Sequence, residues 1–129
     1  MRVMTDTNVL FSALLFPESK PAKALFQVTE QQTLVLCDYI ICELRSVVSR
    51  KRPDLLSDID VFLAKLSYEL ISAPRQPGKL ISDPKDHPIL SAAIIAGVDI
   101  IISGDRHFLE LEMERPKTMS VAGFLDKIT

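Results

Sequence analysis

The chain has few glycines, cysteines and aromatic residues, and each shortage argues against a class of function. Only 4 of the 129 residues are glycine, and neither G-x-G-x-x-G nor G-x-x-x-x-G-K-[ST] occurs. The glycine-rich phosphate loops of nucleotide-binding proteins are therefore excluded. Cys37 and Cys42 form no C-x-x-C pair, and with only two histidines a Cys/His zinc site is not expected. Both cysteines have apolar neighbours, so we expect buried, reduced thiols.

Long apolar segments and a signal peptide are also lacking. Asp6 interrupts the apolar amino-terminal stretch, and the apolar region from Ile89 to Ile102 contains Gly97 and Asp99 and is too short to span a bilayer. The length of 129 residues and the hydrophobic content of 47% are those of one domain with a substantial core. We therefore predict a single soluble domain over residues 1–129, located in the cytoplasm, with no membrane partner.

Short apolar runs alternate with amphipathic segments along the chain. Strands are predicted at residues 2–6, 33–37, 69–72, 99–103 and 118–121. Helices are predicted at residues 8–15, from 19, at 39–50, after 53 with an apolar repeat reaching Leu70, at 89–96 and at 124–128. The strands are continuously apolar, which favours a parallel sheet covered on both faces. The prediction is a three-layer α/β/α fold with a central, mostly parallel sheet of four to five strands.

Four acidic residues stand where such a sheet gathers side chains. Asp6 ends the first strand, and Asp105 follows the most apolar strand. Glu43 lies at the border of the apolar face of its helix, and Asp86 precedes the buried helix that begins near Pro88. Taken singly, each acid is explained by a turn, a helix cap or a solvated surface. Because ligands of parallel sheets bind beyond the carboxyl ends of the strands, the joint pattern predicts one acidic site.

A cluster of carboxylates needs cations. Two carboxylates about 4 Å apart repel by about 4 kcal/mol at an effective dielectric near 20. Oxygen ligands favour hard ions, so we predict one or two Mg²⁺ or Mn²⁺ ions, which can activate water for phosphoryl displacement. The net charge is −2, but without these four residues 13 of the 17 acids remain against 15 Lys and Arg. A nucleic-acid substrate is therefore compatible with the composition.

Four sequence segments, in this order, resemble the motifs of PIN domains, and the resemblance spans Arg2 to about Leu125. They are Met4-Thr5-Asp6-Thr7-Asn8-Val9-Leu10, Ile41-Cys42-Glu43-Leu44, Asp83-Pro84-Lys85-Asp86-His87-Pro88-Ile89-Leu90 and Ile102-Ser103-Gly104-Asp105-Arg106. The resemblance implies a metal-dependent endoribonuclease that hydrolyses single-stranded RNA, similar to the VapC-type toxins of toxin–antitoxin systems. It also implies a cognate antitoxin protein and a homodimer.

The resemblance implies specific roles for the residues of these motifs. The expected metal ligands and catalytic residues are Asp6, Glu43, Asp86 and Asp105. Asn8 and Ser103 would orient the site by hydrogen bonds, and Asp83 is a turn residue or a supporting ligand. His107 is a departure, because relatives often carry an acid at that position. The basic residues Arg106, Lys85 and Arg50 are our candidates for phosphate contacts with RNA.

Three alternatives remain open from the sequence. A haloacid-dehalogenase-like phosphatase also begins with a strand and an aspartate, but it needs an acid where this chain has Asn8. A receiver domain binds Mg²⁺ beside an acceptor aspartate at the end of its third strand, which we cannot place here. A catalytically inactive PIN domain would act only as an RNA- or protein-binding module.

Overall fold

The computed structural model describes residues 1–74 and 87–128. The strands are β1 (Arg2–Thr5), β2 (Thr33–Cys37), β3 (Tyr68–Ile71), β4 (Ile100–Ile102) and β5 (Lys117–Met119). The α-helices are α1 (Thr7–Leu15), α2 (Lys20–Gln31), α3 (Asp38–Lys51), α4 (Leu56–Ala64), α5 (His87–Ile95), α6 (Arg106–Leu109) and α7 (Val121–Ile128). A short 3₁₀ helix, Pro53–Leu55, precedes α4. No helix within the described residues is both long enough and apolar enough to cross a membrane.

The five strands form one parallel sheet in the order β3-β2-β1-β4-β5. The middle strands are continuously apolar: Val3 and Met4 in β1 and all three residues of β4 are buried. Because side chains point alternately to both faces of a strand, such runs require helices on both sides of the sheet. The predicted three-layer α/β/α architecture is confirmed. The strand order also differs from the 2-1-3-4-5 order typical of receiver domains.

Local sequence features fix where the first helices begin and end. Asp6 caps α1, and Phe16 ends it just before Pro17. Ser19 caps α2, which carries Pro21 in its first turn, as the sequence predicts. These short connections bring α1 back from the carboxyl end of β1 and lead α2 into β2.

Two expectations from the sequence are wrong, and one short helix was not predicted. The helix after Pro53 ends at Ala64 and does not reach Leu70, which lies in β3, the edge strand predicted at residues 69–72, with 58% of its surface exposed. The four-residue helix α6 was not predicted, because Arg106–Leu109 is too short to show a helical period. Cys37 is buried as expected, but Cys42 lies on the exposed face of α3.

The amino-terminal edge of the sheet is tied together by Arg2. Its guanidinium donates to the Glu69 carboxylate at 2.6 Å and to the Ala96 carbonyl oxygen at 3.1 Å. Its backbone N–H donates to Asp99 Oδ2 at 2.8 Å, and Arg115 pairs with the same aspartate. These contacts join β1 to the start of β3 and to the turn before β4.

Candidate functional site

The candidate site lies at the carboxyl ends of the two central strands. The strand order reverses between β1 and β4, since the chain runs outward from β1 to β3 and then from β4 to β5. Thr5 pairs with Ile102, and the N–H of Asp6 donates to the carbonyl oxygen of Ile102 at 3.2 Å. The residues that follow these strands, Asp6 and Ser103, therefore lie side by side. Parallel sheets bind their ligands at such a reversal point.

Both carboxylate oxygens of Asp6 accept hydrogen bonds. Oδ1 accepts from the Val9 N–H at 2.9 Å, which caps α1, and Oδ2 accepts from the Ser103 hydroxyl at 2.5 Å. Only 4% of the residue is exposed. The side chain is thus held in one orientation at the strand–helix junction. The role of Ser103 in orienting the site stays a prediction, and the hydroxyl does contact Asp6.

The surroundings of Asp6 disfavour its charge. Burial is the largest effect and raises the pKa of Asp6 above its ordinary value. The hydrogen bonds from Ser103 and Val9 lower that pKa, whereas the charges of Asp105 and Glu43 raise it further. The net direction is upward, so ionised Asp6 is destabilised in its folded environment. A nearby positive charge would offset this cost.

Ser103 connects Asp6 to the second central acid, Asp105. The backbone N–H of Asp105 donates to the Ser103 hydroxyl oxygen at 2.9 Å, while the same hydroxyl donates to Asp6. Asp105 caps α6 by accepting from the His107 N–H at 2.8 Å, and His107 Nδ1 lies 3.7 Å from the same carboxylate oxygen. One serine therefore fixes the relative placement of the two aspartates.

Glu43 approaches the site from α3. Its position is half-buried, as the helical wheel predicts, and its Oε1 accepts a hydrogen bond from the Thr7 hydroxyl. The sequence alone gives Thr7 no role beyond its place in the first motif. The available signal was its place directly after Asp6 in the first turn of a buried helix, but periodicity does not show which carboxylate a buried hydroxyl faces.

The remaining predicted site residues lie either on the protein surface or outside the described residues. Asn8 is exposed in the first turn of α1, Arg106 is exposed at the start of α6, and Arg50 is exposed in the last turn of α3. Asp83, Lys85 and Asp86 lie outside the described residues. Their predicted roles stay predictions.

The oxygen donors gathered here suit a hard divalent cation. Asp6, Asp105 and Glu43 supply carboxylates, and the hydroxyls of Ser103 and Thr7 contact them. Within residues 1–74 and 87–128, however, no three carboxylate, imidazole or thiol groups converge closely enough to hold a metal ion. The described part of the site thus has the right donor chemistry without a complete set of ligands.

An apolar groove lies between α1, α2 and α4, and none of the residues that line it is a candidate site residue. Its volume is about 290 Å³. Its walls include Leu14, Phe26, Val61 and Phe62, and Lys65 and Asp58 stand on the α4 side. Phe16 and Val61 are more than half exposed. Exposed apolar surface of this kind is typical of a contact with another protein.

The chain resembles known proteins in sequence pattern and in fold. A family model described as "PIN domain" matches residues 2–107. The fold is similar to a chain in the crystal structure of VapBC2 from Rickettsia felis bound to a DNA fragment from their promoter, with 19% identity, a TM-score of 0.71 and coverage of 93% of this chain and 98% of that one.

A second solved structure is similar in the same way. It is DNA-bound VapBC from Salmonella typhimurium, with 14% identity, a TM-score of 0.68 and coverage of 94% of this chain and 98% of that one. At such identities the likeness concerns the fold. A comparison with curated protein sequences finds no match. Since the family model covers most of the sequence, the chain belongs to the PIN domain family.

Proposed function

We propose that the protein is a metal-dependent endoribonuclease that hydrolyses phosphodiester bonds of single-stranded RNA. The observation that carries this proposal is the buried Asp6 carboxylate at the reversal point of the sheet, placed within the electrostatic influence of Asp105 and Glu43. Titratable groups with perturbed pKa values cluster at functional sites, and a bound cation would offset the cost of these charges. Membership of the PIN domain family, whose members are generally nucleases, supports the same chemistry.

The proposed ligands of Mg²⁺ or Mn²⁺ are Asp6, Glu43, Asp86 and Asp105, for one or two ions. The all-oxygen donor set fits these ions rather than zinc. A divalent ion held by these residues would supply positive charge to the phosphate and would lower the pKa of a water molecule. Glu43 completes the ligand set or accepts a proton from the attacking water. Ser103, Asn8 and Asp83 orient these acids by hydrogen bonds.

Basic side chains would bind the RNA backbone. Arg106 follows Asp105 directly and is exposed at the start of α6, and Arg50 extends from the last turn of α3. Lys85 is assigned the same role from the sequence. Because aromatic residues are only 6% of the chain, base stacking is a minor contribution and affinity should fall steeply with salt.

The protein would act as the toxin of a toxin–antitoxin pair. Its fold is similar to chains of VapBC complexes, and the apolar groove between α1, α2 and α4 offers a surface for a cognate antitoxin. Ile94 and Ile95 are exposed at the end of α5 and would contribute to a homodimer. An RNA substrate places the active protein in the cytoplasm.

Cleavage of a fluorogenic single-stranded RNA tests this function. The wild type should cleave with Mg²⁺ or Mn²⁺ and stop in EDTA, and Asp6→Asn or Asp105→Asn should lower kcat by about a hundredfold or more, the cost of removing an electrostatic contact at a reacting centre. Asp58→Asn, an exposed site on α4, is the matched control and should cleave normally. Hydrolysis of p-nitrophenyl phosphate without RNA cleavage would instead identify a phosphatase. RNA binding without cleavage would identify a binding module.

A further inference from the structure

We propose that Thr7 is a positioning residue of the nuclease site: its hydroxyl holds the Glu43 carboxylate beside Asp6. This inference rests on the proposed function, because it assigns Thr7 a role through Glu43. Thr7 is 4% exposed and lies in the first turn of α1, while Glu43 is half-buried on α3. The hydrogen bond between them joins two helices at the site.

The location of Thr7 leaves its hydroxyl available for this contact. A threonine inside a helix commonly donates to the carbonyl three or four residues earlier. Thr7 is the first residue of α1, so the residues at those spacings, Val3 and Met4, belong to strand β1. A buried hydroxyl needs an acceptor, and here the acceptor is the carboxylate of another helix.

Repulsion between carboxylates makes this contact important. The charges of Glu43 and Asp105 each raise the pKa of Asp6, so ionised Asp6 and ionised Glu43 repel each other. A half-exposed glutamate has several rotatable bonds and can relieve this repulsion by turning towards water. Among the described residues, the only hydrogen bond that the Glu43 side chain accepts comes from Thr7. That charge-assisted bond opposes the outward rotation.

Two adjacent residues, Asp6 and Thr7, therefore hold the carboxylates of Asp6 and Glu43 in place. Asp6 contributes its own carboxylate, which is locked by Val9 and Ser103, and Thr7 locks the carboxylate of Glu43. The strand–helix junction after β1 is itself held to β4 through the Asp6 N–H. The spacing between Asp6 and Glu43 is thus set by the most buried part of the sheet.

Nuclear magnetic resonance of selectively ¹³C-labelled glutamate tests the contact without metal or RNA. In the wild type, three-bond couplings should show one dominant rotamer for Glu43. Thr7→Val, which keeps the shape but lacks the hydroxyl, should give averaged couplings, and Thr7→Ser should restore the single rotamer. Thr7→Ala serves as a second hydroxyl-free variant if the valine substitution prevents folding. Thr29→Val removes a hydroxyl that donates within α2 and should leave Glu43 unchanged.

Calorimetric titration with MnCl₂ alone extends the test to the proposed ligand role. Thr7→Val should weaken Mn²⁺ binding by about 10- to 100-fold, the range expected for losing a hydrogen bond to a charged group. Thr7→Ser should stay within about threefold of the wild type. In a Glu43→Gln background, Thr7→Val should cause no further loss, because a residue acting through Glu43 has no effect once that carboxylate is gone.

Two results would overturn the inference. One is the same Glu43 rotamer distribution in the wild type and in the folded hydroxyl-free variants. The other is a loss of Mn²⁺ affinity that persists in the Glu43→Gln background. Failure of the proposed function looks different: the rotamer change would appear as expected while the wild type neither bound Mn²⁺ nor cleaved RNA.

Discussion

Replacing the buried Asp6 carboxylate with the amide of asparagine should stabilise the folded chain at neutral pH while abolishing the proposed activity. The substitution keeps the shape and removes a charge that is only 4% exposed. The amide oxygen can still accept from the Val9 N–H. The amide nitrogen can donate to the Ser103 hydroxyl, which then accepts there and from the Asp105 N–H. The Ser103 hydroxyl proton then loses Asp6 as its acceptor, and this cost opposes the gain from removing the buried charge.

The sign follows from the raised pKa of Asp6, whose largest cause is burial. Between the unfolded and the folded pKa, the folded chain binds the proton more tightly, so wild-type stability falls as the pH rises through this interval. Each tenfold difference in proton affinity corresponds to about 1.4 kcal/mol. We therefore expect Asp6→Asn to have a larger free energy of unfolding than the wild type at pH 7. For a chain of this size, each 1 kcal/mol gained raises Tm by about 3–6 °C.

Thermal unfolding followed by circular dichroism in EDTA, from pH 4 to pH 8, measures this difference. The stability advantage of Asp6→Asn should grow as the pH rises from the ordinary value of 3.8 towards the raised pKa of folded Asp6, and should shrink as the pH returns to 3.8. Asp58→Asn removes an exposed charge and should give no gain. Mg²⁺ should then raise the Tm of the wild type but not of Asp6→Asn. Equal or lower stability of Asp6→Asn at pH 7 would refute the reasoning.

Two further predictions concern regions away from the acids. Asp99→Asn should lower Tm by a few degrees at pH 7, because the backbone N–H of Arg2 and the charge of Arg115 hold the pKa of Asp99 below its ordinary value. The stability that a lowered pKa provides is lost as the pH falls through the pKa of Asp99 in the folded chain. The Tm difference between Asp99→Asn and the wild type should therefore narrow in acid. A Tm difference that does not change with pH would contradict this. Ellman's reagent should modify one thiol, Cys42, in the native chain and both thiols in denaturant, because Cys37 is buried and burial raises its pKa. Equal reactivity of Cys37 and Cys42 in the native chain would contradict the assigned burial.

The sequence predicts the fold and the placement of Asp6 and Asp105 because these depend on apolar patterns among residues that are close together in the chain. The triple isoleucine of β4 identifies a central strand, and that placement alone puts Asp105 near Asp6. The predicted end of α4 was wrong because Leu66 and Leu70 keep a helical spacing, although Leu66 lies in the turn after α4 and Leu70 lies in β3.

Such patterns do not predict contacts between side chains that are far apart in the sequence. The exposure of Cys42 depends on which side of α3 faces the sheet, and Ile41 beside it suggested the wrong side. The hydrogen bond from Thr7 to Glu43 depends on how α1 crosses α3, which no periodicity within either helix records. Patterns in the sequence therefore predict that Asp6, Glu43 and Asp105 lie near one another, but they do not predict the hydroxyl that contacts Glu43.

The position of β1 and β4 in the middle of the sheet affects how the protein tolerates local opening. Edge segments such as β3 and β5 can detach at a lower free-energy cost than the interior. When either edge strand detaches, the Asp6 N–H stays bonded to the Ile102 carbonyl oxygen and Ser103 stays beside Asp6. Amide hydrogen exchange should accordingly be slowest around these two strands. The edge strands β3 and β5 can then rearrange when a partner binds, while the acids beside β1 and β4 keep their relative positions.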